Sequence, residues 1–372
     1  MVAPLIQKRL PLRALASGPA SPDRILYHGL WFKGHNNPRY AELLPRLERL
    51  DPVLVPLSGR RLVRAVQYRA INALRPVRNR VALGIASRRY RYLLTADNRQ
   101  IHRFRGAVVA DVDDPVFEPW EVEALNRPNL AAYVVTAEAA ARRFEQLGVR
   151  KPWHVIPQGV GLGSLTEDLR RQVANRHRRD GELVVGYVAA YLRTRDDPGG
   201  ENALYNVDHL LQLWEAISER VPEARLWLLG EPSARVRRRV AGRDDVLLLG
   251  PVAKHEVLPH AANFDVALYP RAEDQGIRSA KVAEYMGAGV PIVSYDYEVT
   301  RDVKEAGAGV LVSSPAEFVE AVVSLAEDPA RRAGFASASA AAGARLDWDG
   351  LARRYTEEIL DRYLPPAGGS PA

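Results

Sequence analysis

Lys281 and Glu284, three residues apart, stand in RSAKVAEYMGAGVPIVSYD from Arg278 to Asp296, the densest run of chemically useful residues in the chain. Ser279 is placed to cap a helix beginning at Ala280, whose free N–H groups and dipole attract an anion such as a diphosphate. The spacing puts Lys281 and Glu284 on one helix face, with the lysine in the first turn, where its charge runs against the dipole. A cation kept there points to an anionic ligand nearby. Gly287 and Gly289 then end the helix, and Pro291 opens a buried strand. The plainer alternative is a surface ion pair on an ordinary helix.

Three further clusters lie in the first half. VVADVDDPVF ends a strand with Asp111, Asp113 and Asp114. A carboxylate triplet can hold a divalent cation, Pro115 alone can account for a plain turn, and contact with a sugar or acceptor is the third reading. The loop HGLWFKGHNNPRY brings Lys33, His35, Asn36 and Asn37 to the carboxyl end of the first strand, while Gly29 and Gly34 permit close backbone approach. Alternatively, Asn37 only caps the next helix and His35 is solvated. Arg60 to Tyr92 holds many arginines and no acidic residue, with Leu62, Val66, Ala70, Ala73 and Val77 at helical spacing until Pro76 interrupts. Such a stretch fits an anionic membrane, core packing on a sheet, or nucleic acid, the last without the aromatic array that stacks bases.

These residues need a frame, and from Ile25 onward short apolar runs alternate with helical periodicity, the pattern of an α/β protein with parallel sheets and crossover helices. Strands are expected at Ile25 to Tyr27, Val53 to Pro56, Tyr92 to Thr95, Ala107 to Asp111, Ala132 to Val135 and His154 to Ile156. A second series covers Leu183 to Val188, Arg225 to Leu229, Val246 to Leu249, Val266 to Tyr269, Pro291 to Tyr295 and Gly309 to Val312. Asn37 and Pro38 start a helix expected to reach about Leu50, and another, Ala137 to Leu147, stops at Gly148. The expected organisation is a disordered leader 1–22, a domain 23–163, a polar basic linker 164–182, a domain 183–346, a helix 347–364 crossing back to the first domain, and a disordered tail 365–372. Doubly wound sheets bind ligands beyond the carboxyl ends of their strands, so a central cleft between the two domains is the expected site.

Composition bounds the chemistry. The 372 residues, 47% hydrophobic and 26% charged, suffice for two cores. The absence of cysteine excludes disulfides, thiolate metal sites and a catalytic cysteine, and fits a reducing compartment. Lys+Arg of 52 against Asp+Glu of 45, a net charge of +7, suits anionic small molecules, membrane headgroups and nucleic acid alike. No apolar run reaches the roughly 18 residues of a membrane span. Met1 to Pro22 has Lys8, Arg9 and Arg13 beside ALASG, but Pro11 and Arg13 interrupt its apolar part, so a leader rather than a secretion signal is expected.

KVAEYMGAGVPIV resembles the Lys-x-x-Glu-Tyr-x-x-x-Gly-x-Pro signature of GT-B fold glycosyltransferases, in particular the glycosyltransferase 4 family (glycosyl transferases group 1). VVTAEAAARRFEQLGVRKPWHVIPQGV and LLLGPVAKHEVLPHAANFDVALYP are similar to further segments of that family in the same order, so the resemblance spans roughly Ala107 to Tyr363. It implies the GT-B fold, two Rossmann-like doubly wound parallel-sheet domains. It implies that Glu284 accepts hydrogen bonds from the donor's ribose hydroxyls, that Gly250 and Val252 pack on the base, and that Ser279 and Lys281 meet the diphosphate. Arg193 and Arg195 correspond to the family's diphosphate cations, with Tyr205 where a lysine is usual and RDDPGGE resembling an inserted flap or loop. The family's earlier glutamate falls on Gly276, with Glu273 or Asp274 nearby. Asp113 is implied to approach the transferred sugar, and Gly34, His35, Asn36 and Asp114 to border sugar and acceptor.

The sequence therefore predicts a glycosyltransferase of the hexosyltransferase type. It is expected to be retaining and metal-independent, with no cofactor beyond a nucleotide-diphosphate sugar as donor substrate, a glycan, lipid-linked or small-molecule acceptor, and no nucleic-acid partner. A cytoplasmic protein with peripheral contact at the inner membrane face is expected. The rivals are a non-catalytic sugar-nucleotide-binding module, a GT-B fold nucleotide-sugar epimerase, and a basic membrane or nucleic-acid adaptor.

Overall fold

The computed structural model describes residues 22–28, 38–52, 83–84, 87–200, 206–271, 279–366 and 368. The chain divides into two compact units, Met1–Pro157 with Asp349–Ala372, and Gln158–Trp348.

The first unit is built on β1 (Ile25–His28), β2 (Leu50–Pro52), β3 (Tyr92–Thr95), β4 (Ala107–Val112), β5 (Leu130–Val135) and β6 (Trp153–Val155). They form one sheet in the order β2-β1-β3-β4-β5-β6, parallel throughout. The strands are short, and β1, β3, β4 and β5 are buried along nearly their whole length, so both of their faces are shielded from water. β1 sits between β2 and β3, so connections leave it in both directions, the reversal at which a doubly wound sheet opens a crevice.

Two expectations change here, and a third falls outside the described residues. The helix that opens at Pro38 ends at Leu43, passes through a 3-10 turn at Leu44–Arg46, and gives way to β2 by Leu50. Pro45 is the reason, since it lacks the N–H that would continue the helical ladder. The strand expected at 53–56 lies outside the described residues, although β2 immediately precedes it. Residues 164–182, expected as a linker, carry the helix Glu167–His177 within the second unit, capped by Thr166 and faced with Glu167–Arg170 and Glu167–Arg171 pairs. Its polar composition belongs to a solvated helix rather than to a connection.

The second unit contains β7 (Leu183–Leu192), β8 (Ala224–Pro232), β9 (Val246–Gly250), β10 (Val266–Tyr269), β11 (Ile292–Tyr295) and β12 (Gly309–Val312), again all parallel, in the order β12-β11-β10-β7-β8-β9. Alternation along β7 divides the core. Leu183, Val185 and Tyr187 join one apolar cluster, whereas Val184 and Val188 join the other. Gly186 is required between them, because a Cβ there would lie 2.0 Å from the Phe264 ring. Helices Asp208–Arg220 and Pro315–Glu327 supply apolar residues to the first cluster, and helix Ala280–Gly287 supplies them to the second.

The chain enters and leaves the second unit side by side. Val160 N donates to Leu346 O at 2.9 Å and Trp348 N to Val160 O at 3.2 Å, while Gly159 lies so close to the Trp348 indole that a Cβ would come within 2.6 Å. Beyond Trp348 the terminal helix belongs to the first unit and includes a π-helical turn at Thr356–Leu360. Tyr355, just before that turn, donates from Oη to Asp111 Oδ2 at 2.9 Å.

Asp111 is therefore an anchor of the fold. Arg39 donates to both its carboxylate oxygens at 3.0 Å, and Tyr40 Oη to Oδ1 at 3.2 Å. The ion pair is buried, with side-chain exposures of 0% and 2%. Removing one partner of such a pair strands a charge away from water, which costs about 3–5 kcal/mol. Asp111→Ala is accordingly expected to lose that much stability in urea unfolding of the whole chain, while Asp114→Ala, at an exposed position, is expected to stay within about 0.5 kcal/mol of wild type.

Candidate functional site

The strand order of the second unit reverses between β7 and β10, which lie side by side. Three expected site segments lie at the carboxyl ends of strands in this sheet: the residues after β7, the loop after β9, and the helix after β10. Such a reversal is where a doubly wound sheet leaves room for a ligand.

Helix Ala280–Gly287 forms as expected. Ser279 caps it, its Oγ accepting from Lys281 N at 3.3 Å. Gly289 follows with φ +67, the left-handed conformation that suits glycine after a helix. The helix is held to the sheet by Tyr285, whose Oη accepts from Val188 N of β7 at 2.9 Å. Lys281 and Glu284 are each 8% exposed, so the reading of this pair as a surface ion pair is overturned.

Lys281 carries a marked electrostatic signature. Burial pushes its ammonium down to about 8 from the usual 10.5; the nearby positive Arg271 adds to the fall and Glu284 opposes it. Its Nζ lies 5.4 Å from the centroid of the Tyr187 ring, a cation–π arrangement. Arg271 is itself buried at 4% exposure and donates from Nη1 to Tyr269 Oη at 3.1 Å. Two buried cations thus lie close enough for Arg271 to disfavour the charge on Lys281.

Glu284 is joined from a second direction. Lys254, the first residue of helix Lys254–Ala261, donates from Nζ to Glu284 Oε1. Gly250 ends β9 with φ +75, so a glycine is needed for this turn, and half-buried Val252 follows it.

Arg193 and Arg195 leave β7 differently from each other. Arg193 is half-buried, donates from Nη1 to Glu231 O at 3.2 Å and lies 4.9 Å from the Tyr191 ring centroid. Arg195 is exposed, with its backbone N donating to Asp208 Oδ2 at 2.7 Å. Between and beyond them Asp197 accepts from Thr194 N and Oγ1 at 2.8 and 3.0 Å, so the start of the RDDPGGE stretch is a tied turn. Tyr205, Glu273, Asp274 and Gly276 lie outside the described residues.

In the first unit, the reading of Asp111, Asp113 and Asp114 as one edge cluster is corrected. Asp111 is committed to Arg39, Tyr40 and Tyr355, because a buried guanidinium requires a full carboxylate partner. Asp113 is buried and Asp114 exposed. The turn that follows is held by buried Glu121, which accepts from Val116 N and Phe117 N at 2.8 and 2.9 Å. Phe117 has φ 58, an uncommon conformation for a bulky residue. The loop residues Gly29, Lys33, Gly34, His35, Asn36 and Asn37 lie outside the described residues.

Sequence reasoning missed Arg271, Lys254 and Arg39. Arg271 was legible as a cation two residues past a buried strand at the reversal. Lys254 and Arg39 were not, because each meets its carboxylate from a distant element.

Comparison with known proteins bears on the family segment and the fold. Residues 201–328 match the family model described as glycosyl transferases group 1. No curated protein matches the sequence. Among solved structures, HepE of Anabaena in complex with UDP and glucose is similar with a TM-score of 0.67 at 16% identity, over 90% of this chain and 99% of that one. WaaG, a glycosyltransferase involved in lipopolysaccharide biosynthesis, is similar with a TM-score of 0.61 at 12% identity, over 93% of this chain and all of that one (100%). Sucrose-phosphate synthase from Thermosynechococcus elongatus follows with 0.54 at 16%, over 75% and 77%. At these identities the structural likeness concerns the fold, which is GT-B. The segment in which the resemblance was read, Arg278 to Asp296, lies within the residues that match the glycosyl transferases group 1 model.

The shifted lysine makes a signed prediction. Lys281 is charged below about 8, and an anion bound beside it favours the charged form. Pyrophosphate binding is therefore expected to take up a proton near pH 8 and to weaken as pH rises beyond it, as calorimetry in two buffers of different ionisation enthalpy would show. In the free protein the sign is opposite. The folded state binds fewer protons than the unfolded chain between about 8 and 10.5, so this group's contribution to stability rises with pH across that window.

Proposed function

We propose that the protein transfers a sugar from a nucleotide-diphosphate donor to a glycan or lipid-linked acceptor. The observation that carries this reading is the buried Lys281 beside Arg271 and Glu284 at the β7/β10 reversal. As the bond between sugar and diphosphate breaks, negative charge grows on the leaving phosphate. Lys281, Arg193, Arg195 and the N-terminus of helix Ala280–Gly287 act as preorganised positive groups for that charge. This is electrostatic catalysis of a leaving group. The carboxylate of Glu284 accepts from the ribose hydroxyls, and Gly250 and Val252 meet the base. Ser279 keeps the helix N-terminus in place for the diphosphate.

Asp113, Asp114 and the loop with Gly34, His35 and Asn36 take the sugar and acceptor side. Transfer proceeds with retention and without metal. These roles rest on the family resemblance together with the burial of Asp113 and the tied turn beyond it. A uridine nucleotide is the favoured donor carrier, supported by HepE, which was solved with UDP-glucose.

A lipid-linked acceptor is supported by the similarity to WaaG of lipopolysaccharide biosynthesis. It is also supported by the exposed Arg88, Arg91, Arg99 and Arg105 of the first unit, with Arg99 lying 4.4 Å from the Trp120 ring centroid. Among the described residues no helix is long and apolar enough to cross a membrane. The reading is a cytoplasmic enzyme that touches the inner membrane face peripherally through these arginines.

The decisive experiment is a thermal-shift panel of UDP, GDP, ADP and TDP with and without magnesium. One nucleotide is expected to raise Tm without magnesium, and Glu284→Ala to abolish that shift, since hydrogen bonds to a charged acceptor contribute about 1.5–3 kcal/mol each. Lys281→Ala is expected to lower turnover more than thermal stability. No shift by any nucleotide would favour the adaptor reading, and binding without transfer or hydrolysis over a broad acceptor panel would favour a binding module. A product formed from donor alone would favour an epimerase.

A further inference from the structure

The contact between Lys254 and Glu284 joins two helices that are far apart in sequence, and nothing in either helix requires it. Lys254 occupies the first turn of helix Lys254–Ala261, where a cation opposes the dipole. The negative partner of that turn is already supplied by Glu256, whose Oε2 accepts from Ala253 N at 2.9 Å. Lys254 instead extends away from its own helix to Glu284. Its side chain remains 53% exposed while that of Glu284 is 10% exposed. An exposed, entropically costly lysine is thus spent on one oxygen of an almost buried carboxylate.

We propose that Lys254 is a positioning residue that fixes the Glu284 carboxylate for ribose recognition and so sets the preference for ribonucleotides over 2′-deoxyribonucleotides. The inference rests on the donor-site reading given above. A carboxylate has about four acceptor positions, and Lys254 on Oε1 leaves Oε2 directed by the same rotamer. Two neighbouring hydroxyls are matched only when that rotamer is held, because a glutamate free to turn offers each hydroxyl a broad range of geometries. The loop from Gly250 to Ala253 leads directly into Lys254, so the turn assigned to the base and the residue that orients the ribose acceptor share one short segment.

The test measures binding of UDP, GDP and ADP, each beside its 2′-deoxy analogue, to wild type, Lys254→Met and Lys254→Arg by calorimetry on the full chain. Wild type is expected to prefer the ribonucleotide by about tenfold, the value of one hydrogen bond to a charged group. Lys254→Met is expected to bring that ratio to within about twofold of one with deoxynucleotide affinity unchanged, and Lys254→Arg to restore the preference. A Met variant that keeps the wild-type ratio would overturn the inference, as would equal loss of both nucleotides, which would make Lys254 a phosphate contact. Failure of the wild type to bind any nucleotide would overturn the donor-site reading, and a wild type that binds without preferring the ribonucleotide would overturn the role given to Glu284.

Discussion

The first unit depends on a buried pair that could not exist half-made. Arg39 and Asp111 lose nearly all contact with water, and that loss is offset only because the guanidinium also reaches Ile156 O and Pro157 O at 2.9 and 3.0 Å, while tyrosine hydroxyls from Tyr40 and Tyr355 complete the carboxylate. One cluster thereby ties the end of β4, the first helix, the backbone at the last residues before the second unit, and the returning terminal helix. Every named donor and acceptor in it is used, which is the mark of a structural network.

The charges at the second unit's strand reversal are arranged on another principle. Lys281 meets a like charge from Arg271 and an opposite one from Glu284, and Glu284 is already engaged by Lys254. Burial makes this imbalance matter, because each unit charge acts further in a dry setting than in water. The same chemistry of carboxylate and cation therefore gives a matched pair in one unit and a mixed cluster of like and opposite charges in the other.

Most of the frame was legible because parallel strands buried on both faces read as uninterrupted apolar runs. β3, β10 and β12 begin and end where those runs do. The misplaced elements share a cause: an apolar or polar tally carries no information about chain direction or partners. Pro45 ended a helix whose periodicity continued, and the helix Glu167–His177 was hidden by its polar faces. Of the site, Ser279, Lys281 and Glu284 were legible because capping and spacing within one helix are local rules. Asp111 was misassigned and Lys254 overlooked because both act through residues at least 30 positions away, Arg39 at a separation of 72 and Glu284 at 30. No pattern in a linear text marks such a meeting.

The interrupted make-up of the first unit has a consequence for how the protein comes into being. Its sequence is split around a continuous second unit, so Tyr355 emerges from synthesis only after that unit. The second unit can close as soon as its own strands are complete, whereas the first must wait with Asp111 short of one hydroxyl and its sheet short of a covering helix. The unit whose strands precede the second is thus completed only after it, and until then its unfinished core is open to mispairing.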